Sequence, residues 1–168
     1  MHMRQRAGWL LILFAIGGAA LAANDKARVK ALPDEWRRWL EQEVYPLISG
    51  EQRKAFLALE TDEQRTAFAE RMWSIWGQQL GMGPAFRREY QERLEFCRAE
   101  FESTLEDRAR VLLLHGAPDA RQEIKCDEVL FPLEFWHWER LEGVGQKITI
   151  VFYRPYGLGA YRLWDPRS

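Results

Sequence analysis

Few residues in this chain are placed to do chemistry together. His115 is followed four positions later by Asp119, across the turn Gly116-Ala117-Pro118-Asp119. An imidazole oriented by a carboxylate is the arrangement of a general base. The hydroxyl for it to activate would have to come from Ser74 or Ser103, and neither stands in a nucleophile-elbow pattern. His115, Cys126 and His137, with an acid, make the one zinc set worth testing, but paired ligands in closed zinc sites lie about two to five residues apart, and these do not. The acid pairs Glu41 with Glu43 and Glu100 with Glu102 read as parts of solvated helix faces. Gly81-Met82-Gly83 lacks the Lys-Ser or Lys-Thr of a phosphate loop. His115 and Asp119 are therefore the catalytic candidates, and neither a metal nor a cofactor is expected.

Aromatic residues are the more informative surplus. Trp36, Trp39, Trp73 and Trp76 recur at helical spacing, which assigns them to a core. Trp136 and Trp138 lie two apart in a β-like run, so they share one strand face with Glu134 and Arg140, while Phe135 and His137 share the other. One face must meet the rest of the fold. Were the Trp136 and Trp138 face open, its two rings would form a platform for a peptide, a glycan or a partner strand, and these two are the binding candidates.

The elements that position these residues divide into a helical front and a stranded back. A first helix is expected from Pro33 to about Leu47, broken near Pro46, and a second from Glu51 to Leu59. Thr61 with Gln64 three residues on is a capping box that opens a third helix, and Gly77, Gly81, Gly83 and Pro84 break its pattern. The fourth carries Phe86, Tyr90, Leu94, Cys97 and Phe101 on one stripe. After Asp107 the period changes. Arg110 to His115 reads as a buried strand entering the turn, Leu133 to Arg140 and Lys147 to Arg154 as a hairpin, and Ile124 and Tyr161 to Trp164 as flanking strands. The fold class is α+β, with about four N-terminal helices packed on an antiparallel sheet.

The chain has 168 residues, 24 basic and 25 acidic, with 47% apolar types. This bounds it to about one globular domain and gives no basic excess for nucleic-acid binding. Its start has the three parts of a secretory signal: Arg4 and Arg6, an apolar run from Trp9 to Ile16, and Ala20-Leu21-Ala22 as a cleavage site. Residues 1–22 are accordingly expected to be removed, leaving a 23–32 linker and a 33–168 domain with no stable membrane span, in a periplasm or secreted. Retention as an anchor is the alternative. No Cys follows the cleavage site to carry a lipid. In an oxidising compartment Cys97 and Cys126 have only each other to pair with, a bond worth about 3.5 kcal/mol in the chain-entropy model. The alternative is that Cys97 is a buried apolar residue.

Leu32-Pro33, Trp39-Leu40, Glu51-Gln52-Arg53, Phe56-Leu57-Ala58-Leu59 and Thr61-Asp62-Glu63-Gln64-Arg65 resemble, in order and spacing, the helical half of the GWxTD domain. Glu89-Tyr90, Arg93 and Phe96-Cys97 resemble its long helix; Asp107-Arg108-Ala109-Arg110 and Gly116-Ala117-Pro118-Asp119 resemble its DRGR and GPPD elements; and Glu134-Phe135-Trp136 resembles its aromatic strand. The resemblance spans most of residues 32–164 and implies an exported protein with no catalytic role to transfer. In place of the naming Gly-Trp-x-Thr stands Ser103-Thr104-Leu105-Glu106. Residues 110–153 also resemble the layout of the small lipoproteins of outer-membrane assembly. The expectation from sequence is a non-catalytic interaction or scaffolding module with an envelope or secreted protein as partner. The alternative is a periplasmic hydrolase or glycan-processing enzyme with its site near residues 116–119.

Overall fold

In a computed structural model the described residues are 25–125 and 131–165. The expected signal segment and Cys126 lie outside them, so neither the cleavage site nor the Cys97–Cys126 pair is addressed by the structure. Among the described residues six helices precede a four-stranded antiparallel sheet, which makes the chain an α+β protein. Among the described residues no helix is long and apolar enough to cross a membrane.

Helix α1 covers residues 25–31, and α2 runs Asp34–Arg38 behind Pro33, which needs no N–H at that position. A π-helical turn, Trp39–Glu43, continues α2 and ends before Pro46 is reached. Helices α3 (Gly50–Leu57) and α4 (Asp62–Gln79) both open on capping boxes, Ser49 with Gln52 and Thr61 with Gln64, each satisfying two otherwise orphaned backbone donors. Helix α4 runs through Gly77 instead of stopping there. A side chain at 77 would run into the carbonyl oxygen of Gly83, so the glycine serves the close approach of the following turn, whose Met82 and Gly83 N–H groups donate back to the Gly77 carbonyl. Helix α5 (Ala85–Glu100) buries Phe86, Tyr90, Leu94 and Cys97, the expected stripe.

The segment expected as a strand at 110–115 is instead the second half of helix α6, Asp107–His115. A short apolar run does not by itself distinguish a buried strand from a buried helix. Here Ala109, Leu112 and Leu113 fall three and four apart and are buried, and Gly116 ends the helix at φ +80°, a conformation glycine adopts without strain.

Strands β1 (Ala120–Ile124), β2 (Leu133–Leu141), β3 (Gly145–Tyr153) and β4 (Arg162–Leu163) pair in sequence order. In the central hairpin Glu134 faces Phe152, Trp136 faces Ile150 and Trp138 faces Ile148. This set turns inward. Trp136 stacks on Phe101 and meets Phe152 edge-on, so one aromatic core joins the helices to the sheet.

Candidate functional site

The Trp136 and Trp138 platform does not exist on this fold. Trp136 is fully buried and Trp138 is 3% exposed. The reason is polar as well as apolar. The Trp136 indole N–H donates to Glu134 at 2.7 Å, and Glu134 in turn accepts from Arg108 of α6 at 2.9 Å. Arg108 also pairs with Glu106 at 2.8 Å and lies over the rings of Phe101 and Tyr161. A buried Glu134 needs a cation, and Arg108 of α6 supplies it. Burial pushes the Glu106 carboxyl above its ordinary value, against the pull of Arg108, and its Oε2 has no hydrogen-bond partner among the described residues.

The opposite sheet face is the open one. Leu133, Phe135 and His137 of β2 share it with Tyr153, Val151 and Thr149 of β3, and the Trp164 N–H donates to the Val151 carbonyl beside them. Trp164 is 54% exposed. His137 lies within 3.1 Å of the Thr149 hydroxyl and 3.4 Å of Glu139, engaged with its own strand pair. At one end of the face, Phe131, Tyr156 and Leu158 also stand out in solvent. Tyr156 is 83% exposed and holds φ 54°, ψ 20°, in the left-handed region that a non-glycine residue rarely occupies. Tyr156 stands between Pro155 and Gly157, and an aromatic residue in that setting is the one signal the sequence offers for it.

His115 and Asp119 are not brought into a catalytic pair. No hydrogen bond joins them among the described residues; Asp119 instead accepts the Glu139 backbone N–H at 2.7 Å and helps tie β1 to β2. Partial desolvation, and secondarily the Arg93 guanidinium, hold the His115 imidazole below its ordinary pKa. A hollow of about 450 Å³ next to Gly116 is lined by Arg93, Glu89, Glu92, Phe96, Leu112 and Ala117, none of which is a hydroxyl or thiol. Ser103 accepts the Leu105 N–H in a local turn, and Ser74 sits on the exposed side of α4; neither touches His115. Cys97 is fully buried against the Ala109 carbonyl, and burial pushes its thiol up to about 12, a packing role rather than a nucleophile's. Among the described residues no three His, Cys, Asp or Glu side chains are grouped to hold a metal.

A second concavity was not foreseen. Helices α2, α4 and α5 enclose a groove of about 500 Å³ with Trp36 and Trp39 on one wall and Trp73 and Tyr90 on the other. Spacing assigned these rings to the core, and their undersides are in it: Trp39 and Trp73 are 8% and 9% exposed. The Tyr90 hydroxyl donates to the Glu43 carbonyl at 2.7 Å, where the π-helical turn ends, and burial pushes its pKa up.

The fold and these surfaces define an α+β protein with an open sheet face and an aromatic-walled helical groove. In comparisons with known proteins, no family model, curated protein or solved structure gives a significant match.

Proposed function

We propose that the chain is an exported, non-catalytic interaction module, a divergent GWxTD-like protein, that binds another envelope or secreted protein through the open face and end of its sheet. Tyr156 carries the reading. An L-residue in the left-handed region costs about 1–2 kcal/mol, and this side chain recovers little of it, since its ring stays 83% exposed and meets Phe131 at 5.7 Å. Strain retained on the surface marks a residue held out for something other than the fold. Leu158, 78% exposed, and Trp164 extend the same apolar region, more than a solitary exposed side chain would require.

The test separates folding from binding. A photo-crosslinking residue placed at Leu158 should give a discrete adduct in producing cells, and the same residue at Lys54, exposed on α3, should not. Tyr156→Gly relieves the left-handed strain, so it should leave Tm unchanged or higher while the Leu158 adduct is lost. Equal adducts from both positions, or full adduct yield with Tyr156→Gly, would remove the reading. Amino-terminal sequencing of the same material tests export, with Ala23 as the expected first residue.

A further inference from the structure

We infer that the outer edge of β1 pairs with the same edge of a second copy of this chain, antiparallel and centred on Gln122, joining two four-stranded sheets into one. The inference goes beyond the sheet-face reading and does not rest on it, since β1 and β4 are opposite edges of the sheet.

The backbone defines the edge. β1 keeps unbroken register with β2 from Ala120 to Ile124, and among the described residues no strand lies on its other side. The Asp119 N–H donates to the His137 carbonyl, so His137 turns its backbone groups toward β1. Alternation then commits Ala120, Gln122 and Ile124 to the β2 ladder and points the N–H and C=O groups of Arg121 and Glu123 outward. Residues 120–123 are all exposed, and no proline, glycine or positive φ interrupts the strand. The opposite edge of the sheet is guarded. β4 covers Phe152 and Tyr153, the Trp164 N–H takes the Val151 carbonyl, and Lys147 at φ 53° breaks the extended backbone of β3 further along.

The side chains then select the occupant. Asp119-Ala120-Arg121-Gln122-Glu123-Ile124-Lys125 is its own complement about Gln122. In an antiparallel pair centred there, Arg121 lies opposite Glu123 of the second copy, Lys125 opposite its Asp119, and Ala120 opposite its Ile124. Symmetry repeats each of these pairs, and every Arg121–Glu123 pair exchanges both of its backbone hydrogen bonds. Gln122 meets Gln122 on the axis, where one amide can donate to the other. Sliding the strands by two residues, the smallest step that keeps outward groups facing, loses this match. One direction sets Arg121 against Arg121 and Glu123 against Asp119; the other sets Glu123 against Glu123 and Arg121 against Lys125. Opposite charges stabilise a cross-strand pair and like charges destabilise it, so charge selects the Gln122 register. Phe96 of α5 gives an independent indication. It is a half-exposed ring beside this edge, with the Arg121 guanidinium over it at 5.6 Å. A strand added to β1 covers apolar surface that the single chain leaves in water.

Sedimentation equilibrium of the purified protein tests this. A contact made of one strand edge and a flanking ring is small, so the dimer should dissociate with a Kd on the order of 10 µM. Glu123→Arg and, in a separate chain, Arg121→Glu each place like charges opposite one another at both pairs, and each should weaken self-association at least about tenfold. Mixed in equal amounts, the two variants restore opposite charges at both pairs and should form a heterodimer close to the wild-type affinity. Glu123→Pro probes the backbone instead. It deletes one outward N–H and leaves the β2 ladder whole, so the variant should keep its far-UV circular dichroism and sediment as a monomer. Should Arg121→Glu unfold the chain by leaving the Trp136 ring, Glu123→Arg and Glu123→Pro decide the matter by themselves. A wild type that stays monomeric up to about 200 µM would overturn the inference. So would a dimer that survives Glu123→Arg or Glu123→Pro, or two folded charge variants that remain apart when mixed.

Discussion

Replacing Arg108 with leucine isolates the polar knot between the helices and the sheet. Glu106 and Glu134 are 6% and 8% exposed, and Arg108 is the cation both of them touch, at 2.8 and 2.9 Å. Removing one partner of a buried ion pair leaves an uncompensated charge and costs about 3–5 kcal/mol. Two carboxylates sharing one cation put the expected loss at pH 7 toward the upper end of that range. The pH dependence is the sharper reading. Glu106 already has a carboxyl raised by burial, and the arginine is what opposes that rise. A carboxyl raised in the folded state favours folding when protonated, so its penalty is absent below the unfolded pKa and grows as pH rises through the folded one. The Arg108→Leu deficit should therefore shrink as pH falls from 7 toward 5, and Glu106→Gln in that background should recover part of it at pH 7. Urea denaturation of the wild type and the variants at several pH values between 5 and 8 measures this. A deficit under about 1 kcal/mol, or one that does not change with pH, would refute the assignment of a shared buried cation.

Three further outcomes follow from particular contacts. Gly77→Ala improves helix propensity by about 1 kcal/mol on a free helix, yet here it should lower Tm, because the new methyl meets the Gly83 carbonyl; a rise in Tm would show that the turn gives way. Under reducing conditions Cys97, with its thiol pushed up to about 12 by burial, should resist iodoacetamide at pH 8 in the native protein and react once urea unfolds it. The His115 imidazole should titrate below its ordinary pKa by NMR, and Arg93→Gln should move it part of the way back while desolvation holds the rest. Its protonation then opposes folding, so His115→Gln should lessen the loss of stability as pH falls through that range.

Much of the architecture was legible because it is written locally. Thr61 and Gln64 are three residues apart, and a capping box needs nothing beyond that spacing and a following helix. The stripe from Phe86 to Cys97 and the alternation of Leu133 to Trp138 likewise fix an element type by their own period. Residues 110–115 defeated the same reasoning, since Val111 to Leu114 is apolar at every position and carries no period to read. The candidate site was less legible than the fold. Trp36, Trp39 and Trp73 sit at core spacing whether or not their outer edges line a groove, and no motif marks Tyr156 as a residue held at positive φ.

By itself, the sequence determined the α+β class, the order of helices before an antiparallel hairpin sheet, and the pairing of Trp136 with Trp138 on one face, because caps, turns and periodicity act over a few residues. Tertiary structure alone decided which face of β2 is buried. Both faces carry aromatic side chains, so alternation is symmetric between them, and the choice falls to Arg108 and Phe101, which approach from α6 and the end of α5 and can satisfy Glu134 and Trp136 but not Phe135 and His137. It also decided that His115 and Asp119 stay apart, since the helix that ends at Gly116 and the strand that begins at Ala120 send them to different partners.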